Sequence, residues 1–319
     1  MTDGKPVVLQ AHSPVMVGEV MRALNVQDSG TYVDATFGRG GHTRAILERL
    51  GPEGRVLAID RDPESCAASR KLFPAETRLT VVHAPFSDLS KILHARNLAQ
   101  RVIGIVLDLG VSSTQLDQPQ RGFSFSRSGP LDMRMDPTYG ETAAEWLARV
   151  GEKDLYHVLR ELGEERFARR IARQVVQQRE ETSICTTTTL SKLVADVIPT
   201  RERSKHPATR SFQAIRMHVN RELDELESVL PQAVDALIAR GRLVVISFHS
   251  LEDRLVKRFM RKAARGDSYP PDLPVTHDRL RPTLRKVGKP LRPTISEVAV
   301  NARSRSAILR TAEKLDLTA

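Results

Sequence analysis

Cysteine is scarce: Cys66 and Cys185 are the two in 319 residues. They form no C-x-x-C pair, so neither a disulfide framework nor a structural zinc site is expected. Aromatic residues make up 4% of the chain, too few for a broad base-stacking platform of the kind that binds single strands. No apolar run approaches the length of a membrane span, and the first residues lack a basic-then-apolar signal region. The reading is a reduced, cytoplasmic protein with no metal and no membrane partner. Acidic residues fall short of basic ones, 39 against 49, which leaves a net charge of +10. A basic protein is drawn to polyanions, usually nucleic acid, and with few aromatics the contacts would run from Arg and Lys to phosphate.

A hydrophobic content of 40% and a charged content of 28% suit a globular protein. The length exceeds what one core usually serves, so one large domain with an insertion, or two domains, is expected. The chain is organised around Thr31-Tyr-Val-Asp-Ala-Thr-Phe-Gly-Arg-Gly-Gly-His-Thr-Arg and the apolar run Val56-Leu-Ala-Ile-Asp60 that follows it. Strand, Gly-rich turn, helix, strand and acid are the opening of a nucleotide-type βαβ unit. Gly38, Gly40 and Gly41 permit torsions and close approaches that a side chain would forbid. Asp60 stands where a carboxylate grips ribose hydroxyls. Thr43, however, replaces the third glycine of the dinucleotide fingerprint, and Asp34 would repel a pyrophosphate while holding an ammonium group. S-adenosylmethionine has an α-amino group, a sulfonium, a ribose and no phosphate, so the chemistry favours the methyl donor over a nicotinamide dinucleotide.

After a lead-in with a helix over 18–24, strands are expected at 32–35, 55–60, 79–83 and 102–107. Helices are expected between them at 44–50, 63–72 and 87–96. That alternation implies a parallel sheet covered on both faces, whose ligands sit beyond the carboxyl ends of the strands. Asp34, Asp60, the segment His83-Ala-Pro-Phe86 and Asp108 all fall at such ends. Residues 118–139 show neither period and read as a long active-site loop. Residues 141–198 read as helical throughout, opened by a capping box of Thr142 and Glu145. A basic connector over 200–210 leads to a long helical pattern at 211–238, with Pro231 as its candidate break. The sheet resumes at 242–248, followed by a helix to about 264. A Pro- and Arg-rich loop or hairpin at 266–293, a short helix at 296–301 and a last strand at 306–311 close the chain. The division is 1–139 as the first part of the core with the site loop, 140–210 as a helical insertion, and 211–319 as the second part of the core.

Methyl transfer to an exocyclic base amine needs positioning and a hydrogen-bond acceptor beside the sulfonium, and Asp108 at the end of the fourth strand fits. Carbon methylation would need a cysteine nucleophile, and neither Cys66 on a predicted helix nor Cys185 in the insertion is well placed. Asp108 could also be a turn or capping residue. His249, after a buried strand, reads equally as a hydrogen-bonded core-edge histidine or an RNA contact. The basic sets Arg201, Arg203, Lys205, Arg210 and Arg279, Arg281, Arg285, Lys286 read either as solvated surface or, from their placement around predicted loops at the site mouth, as phosphate contacts, with the placement favouring phosphate.

The sequence resembles the bacterial 16S ribosomal RNA cytosine-N4 methyltransferases, the small-subunit methyltransferase H or MraW family, over nearly its whole length. The resemblance is carried by His12-Ser-Pro-Val-Met, Asp34-Ala-Thr-Phe-Gly-Arg-Gly-Gly-His42, Asp108-Leu-Gly-Val-Ser-Ser113, Gln115-Leu-Asp, Arg121-Gly-Phe-Ser-Phe and Pro130-Leu-Asp-Met-Arg-Met. It continues in His206-Pro-Ala-Thr-Arg, Phe212-Gln-Ala-Ile-Arg, Val219-Asn, Ser247-Phe-His-Ser-Leu-Glu-Asp-Arg and Asn301-Ala-Arg-Ser. Several are weak alone; in this order they are specific. The resemblance implies an α/β, Rossmann-like methyltransferase sheet with an inserted all-helical domain for substrate recognition. It implies S-adenosylmethionine contacts at Gly40, Gly41, His42, Asp60, Phe86, Asp108 and Gln115, beside the Asp34 and Gly38 read from the turn. It implies a cytidine in the decoding region of 16S RNA as substrate, with His206 and Arg303 joining the RNA-binding residues. Thr114 stands where many members have proline. A homodimer is one assembly the sequence allows. Against this enzyme stand a nicotinamide-dependent oxidoreductase and a non-catalytic ribosome-assembly factor with a vestigial nucleotide pocket.

Overall fold

The computed structural model describes residues 14–199, 206–267 and 280–316. Its centre is a 7-stranded sheet built from β1 (Thr31–Asp34), β2 (Arg55–Asp60), β3 (Leu79–His83), β4 (Val102–Asp108), β5 (Leu237–Ser247), β6 (Leu284–Lys286) and β7 (Ile308–Lys314). The order across the sheet is β3-β2-β1-β4-β5-β7-β6. The first five strands are mutually parallel, and β7 runs antiparallel to both β5 and β6.

Around the sheet lie α1 (Val17–Leu24), α2 (Gly41–Leu47), α3 (Pro63–Leu72), α4 (Leu89–His94) and the short α5 (Ser113–Asp117). A helical body follows: α6 (Ala143–Arg149), α7 (Glu152–Glu161), α8 (Ala168–Glu181), α9 (Thr187–Val197) and α10 (Thr209–Val219). The chain then returns to the sheet through α11 (Glu222–Ala236), α12 (Ser250–Arg265) and α13 (Ile295–Val300). Among the described residues no helix is long and apolar enough to cross a membrane.

The central strands are apolar on both faces because both faces are covered. Val33, Ile105, Leu107 and Val245 turn to one core, completed by α4, α11 and α12. Their neighbours Tyr32, Val106, Val244 and Ile246 turn to the other, completed by α1 and α2. The two-residue period of a strand produces this division directly. The path from β1 through α2 to β2 lies on one side of β1, whereas β4 flanks it on the other, so the carboxyl ends of β1 and β4 form the switch point where ligands bind such sheets. Asp34 pairs in register with both Ala58 and Val106. Asp60 and Asp108 therefore stand two residues beyond it, on either side.

Several expected boundaries move; the helix expected at 44–50 lies at 41–47, and that at 87–96 is confined to 89–94. The helical pattern at 211–238 breaks at Asn220–Arg221, where Arg221 adopts φ 51, and Pro231 lies inside α11. The fifth strand begins at Leu237 rather than 242, because the segment around Arg240 (φ 65) bulges between the Val102–Leu237 and Gly104–Arg242 pairs. The last strand is shifted toward the C-terminus, to 308–314. A third core holds the helical body together, and it is not confined to 140–210. Phe123, Leu131, Met133 and Met135 enter it from the site loop, and Phe212 and Ile215 from α10. The loop has no regular period because its order comes from tertiary bonds: Leu131 N–H to Cys185 O (2.9 Å), Ala143 N–H to Asp132 O (2.7 Å) and Ala144 N–H to Leu131 O (2.9 Å).

Candidate active site

The Gly-rich turn leaves β1 through two left-handed residues, Gly38 (φ 53) and Gly40 (φ 71). A Cβ on Gly40 would lie 2.5 Å from the Phe73 ring, and one on Gly41 2.5 Å from Pro14. Beneath the turn Asp34 is wholly buried; its Oδ1 accepts from Thr36 N–H (3.2 Å) and its Oδ2 from the Thr43 hydroxyl (2.7 Å). Thr43, read as a missing glycine, thus supplies a donor that ties α2 to β1. Burial pushes the Asp34 carboxyl up, with the nearby His42 and the Thr43 hydroxyl opposing it.

Asp60 closes the other side of the turn. Its Oδ2 accepts from Gly38 N–H at 2.6 Å and its Oδ1 from Asp62 N–H at 2.8 Å. Each oxygen keeps a further lone pair. Burial pushes its pKa up to about 6 against these two bonds. Phe86 begins a short turn after β3 and packs, half-buried, against the first core. Gln115 is held inside the α5 capping box, with Oε1 accepting from Ser112 N–H (3.0 Å) and Nε2 donating to Asp62 Oδ2 (2.8 Å). Thr114 accepts from Arg39 Nε at 2.5 Å, a bond that a proline could not offer.

At the end of β4, Asp108 N–H donates to the Thr36 hydroxyl at 2.7 Å. Its Oδ2 stands 3.3 Å from Nε2 of the buried His42, while Oδ1 is buried with no hydrogen-bond partner among the described residues. Burial pushes the His42 ring toward neutrality, but the Asp108 and Asp34 carboxylates outweigh it and hold its pKa above the ordinary value. The turn, Asp60 and Asp108 form a cradle with a carboxylate on each flank and no room for a side chain at Gly40 or Gly41. Those features fit a nucleoside-bearing ligand. Cys66 lies nearby, its Sγ donating to Asp60 O at 3.5 Å, but burial pushes its pKa up to about 12, so it is a thiol and not a nucleophile.

The residues assigned to RNA are dispersed. Arg201, Arg203, Lys205 and Arg279 lie outside the described residues, as does His12. His206 stacks on Phe125 with ring centroids 4.6 Å apart, and Arg210 sits in the first turn of α10. Arg303 reaches Asp117 at 2.6 Å, and Arg285 is paired with Glu313. His249 caps α12 and lies 3.0 Å from the buried Glu252. Glu222, His249 and Glu252 bring potential metal-ligand atoms within 4.8 Å of one another. Arg216 supplies the positive charge there, bonding Glu222 at 2.7 and 2.8 Å. Hydrogen bonding to His249 and the charges of His249 and Arg216 overcome burial and hold Glu252 below the ordinary carboxylate range.

Two supporting residues escaped the sequence reading as site components. Arg121 is buried, donating to Asp62 Oδ2 (2.8 Å) and Met135 O (2.8 Å), which joins the site loop to the Asp60–Asp62 corner. Asn220 accepts from Met135 N–H (2.7 Å) and donates to Met133 O (2.7 Å). Both stand in motifs that carried the family resemblance, but nothing in their spacing says that they brace a loop.

A family model described as the MraW methylase family matches residues 9–315. Among curated relatives, the ribosomal RNA small subunit methyltransferase H of Methylococcus capsulatus is 57% identical over 300 residues, covering 94% of this chain and 99% of the relative. That of Nitrosococcus oceani is 52% identical over 307 residues, covering 96% of this chain and 98% of its own. Among solved structures, an rRNA methylase from Streptococcus thermophilus aligns over 94% of each chain with a TM-score of 0.42 and 10% identity. With a match across nearly its whole length and relatives above half identity, the chain belongs to the MraW methylase family.

Proposed function

We propose that this chain methylates the exocyclic N4 of a cytidine in the decoding region of 16S rRNA, presented by the small ribosomal subunit. It is an S-adenosylmethionine-dependent rRNA methyltransferase, akin to relatives named for the small-subunit RNA. When bound, S-adenosylmethionine supplies an electrophilic methyl group on a positively charged sulfur.

The protein's part is to bind, orient and exclude water. Gly38, Gly40 and Gly41 would let the ligand approach the backbone, and the Asp60 oxygens would accept its ribose hydroxyls. Phe86 would lie against the adenine, with Gln115 fixing the neighbouring corner through Asp62. Asp34 would act on the ligand's ammonium group from beneath the turn, through its field. Asp108 carries the reading: it stands at the switch point with its side chain 23% exposed, and its carboxylate would accept an N–H of the target amine. An acceptor holding that N–H would leave the nitrogen lone pair less delocalised into the ring. His42 Nε2 stands 3.3 Å from Asp108 Oδ2. The target base must be unstacked to reach this point. With Cys66 kept as a thiol and Cys185 exposed on the helical body, attack by nitrogen rather than by ring carbon is favoured.

The test is transfer of labelled methyl to small subunits lacking the modification, followed by nucleoside analysis. N4-methylcytidine is the expected product; 5-methylcytidine would overturn the assignment. Asp108→Asn should lower the turnover rate by about 100-fold or more with donor affinity changed little.

A further inference from the structure

α12 has two unlike sides. Glu252, Val256 and Met260 are buried, and Leu255, Phe259 and Ala263 pack on the same core. The opposite side carries Arg254, Lys257, Arg258, Arg261, Lys262 and Arg265, all exposed. Steps of three and four residues align them as one stripe, with a cationic rung at each turn of about 5.4 Å.

Among the described residues one acid, Glu164, meets this stripe. Arg254 reaches Glu164 at 3.0 Å, but the other five make no ion pair among the described residues. The acids of the first turn face elsewhere: Glu252 is buried beside His249, and Asp253 holds Arg310 with bonds of 2.7 and 2.9 Å. Cations three and four apart on a helix repel and lower its stability. A helix shaped by stability alone would interleave acids among them. The stripe also begins in a telling place. α12 starts just past the end of β5, whose Ile246 is in register with Asp108. There Glu164 of the helical body bonds both Ser250 (2.9 Å) and Arg254 (3.0 Å).

We propose that the outer face of α12 is a docking surface for the phosphate backbone of small-subunit ribosomal RNA, leading away from the candidate active site from the end of β5. The inference rests on the rRNA-substrate reading above and adds a surface outside the residues assigned to RNA from sequence. A basic amphipathic helix can also bind anionic lipid, but that mode requires its apolar side to enter the bilayer. Here the apolar side is consumed by the core, which favours RNA.

The experiment uses the full chain and transcribed small-subunit rRNA, with binding measured across a range of salt. One variant combines Lys257→Gln, Arg258→Gln, Arg261→Gln and Lys262→Gln. A charge-matched control combines Arg22→Gln, Arg70→Gln, Lys71→Gln and Lys91→Gln on other exposed surfaces. Loss of up to four phosphate contacts should weaken RNA binding by about tenfold or more at moderate salt. It should also flatten the slope of log affinity against log salt by roughly 3. The control should change affinity less than about twofold, and S-adenosylmethionine affinity should be the same in all three proteins. Equal losses in variant and control, an unchanged salt slope, or an effect seen only with anionic phospholipid vesicles would each overturn the proposal. Binding is read without turnover, so a failure of N4 methylation would leave this result standing, and the reverse holds too.

Discussion

Asp60 must be ionised to accept two ribose hydroxyls fully, and burial raises its pKa to about 6. Above about 6 the carboxylate is charged and accepts; below it the added proton removes an acceptor site. S-adenosylmethionine affinity should therefore decline as pH falls through about 6, and Asp60→Asn should bind more weakly and lose that dependence. Isothermal titration from pH 5 to 8 reads both. Asp60 was legible from sequence because a strand end and a glycine turn announce it. The neighbouring Thr43 was not. Position alone marked it as a departure from the dinucleotide fingerprint, and its bond to Asp34 Oδ2 depends on where α2 is laid over β1.

Elements whose residues repeat with a period were readable, and elements ordered by distant partners were not. The strands through β4 and the Thr142–Glu145 capping box appear where periodicity and capping chemistry put them. The site loop and the break before α11 differ because one buried amide determines both. Asn220 bonds Met133 O and Met135 N–H in the loop and Arg216 O in α10. Its position, not Pro231, is where the long helical pattern turns. Asn220→Ala leaves Met135 N–H and Met133 O buried without their partner, so a stability loss of about 2–3 kcal/mol is expected. Urea unfolding measures that loss. Methyl transfer should fall further than the loss of folded protein explains, because the loop borders Asp60 and Asp62 through Arg121.

At the scale of the molecule, the helical body is joined to the sheet through charge as well as apolar contact. Arg216 on α10 pairs with Glu222 at the start of α11 and faces Glu252 at the start of α12. Replacing it with methionine strands two buried carboxylates, a loss of about 3–5 kcal/mol. The double variant Arg216→Met, Glu222→Met should recover part of it, as a thermal or urea double-mutant cycle would show. No sequence pattern pairs residues from three helices, and the third core likewise recruits Phe123 and Met133 from a loop that looks structureless alone.

The order of strands and helices, the glycine turn and the acids at the strand ends follow from the sequence by itself, because local sterics, capping and two-residue burial periods are written in neighbouring residues. The tertiary structure alone decided that β1 lies between β2 and β4, which brings Asp60 and Asp108 to opposite flanks of one turn. It also decided that His42 faces Asp108, that Arg121 and Asn220 brace the loop, and that the cations of α12 stand outward, five of the six without an ion pair among the described residues. These depend on packing between residues far apart in the chain, and the free energy of burying and pairing them exists only once the layers have closed.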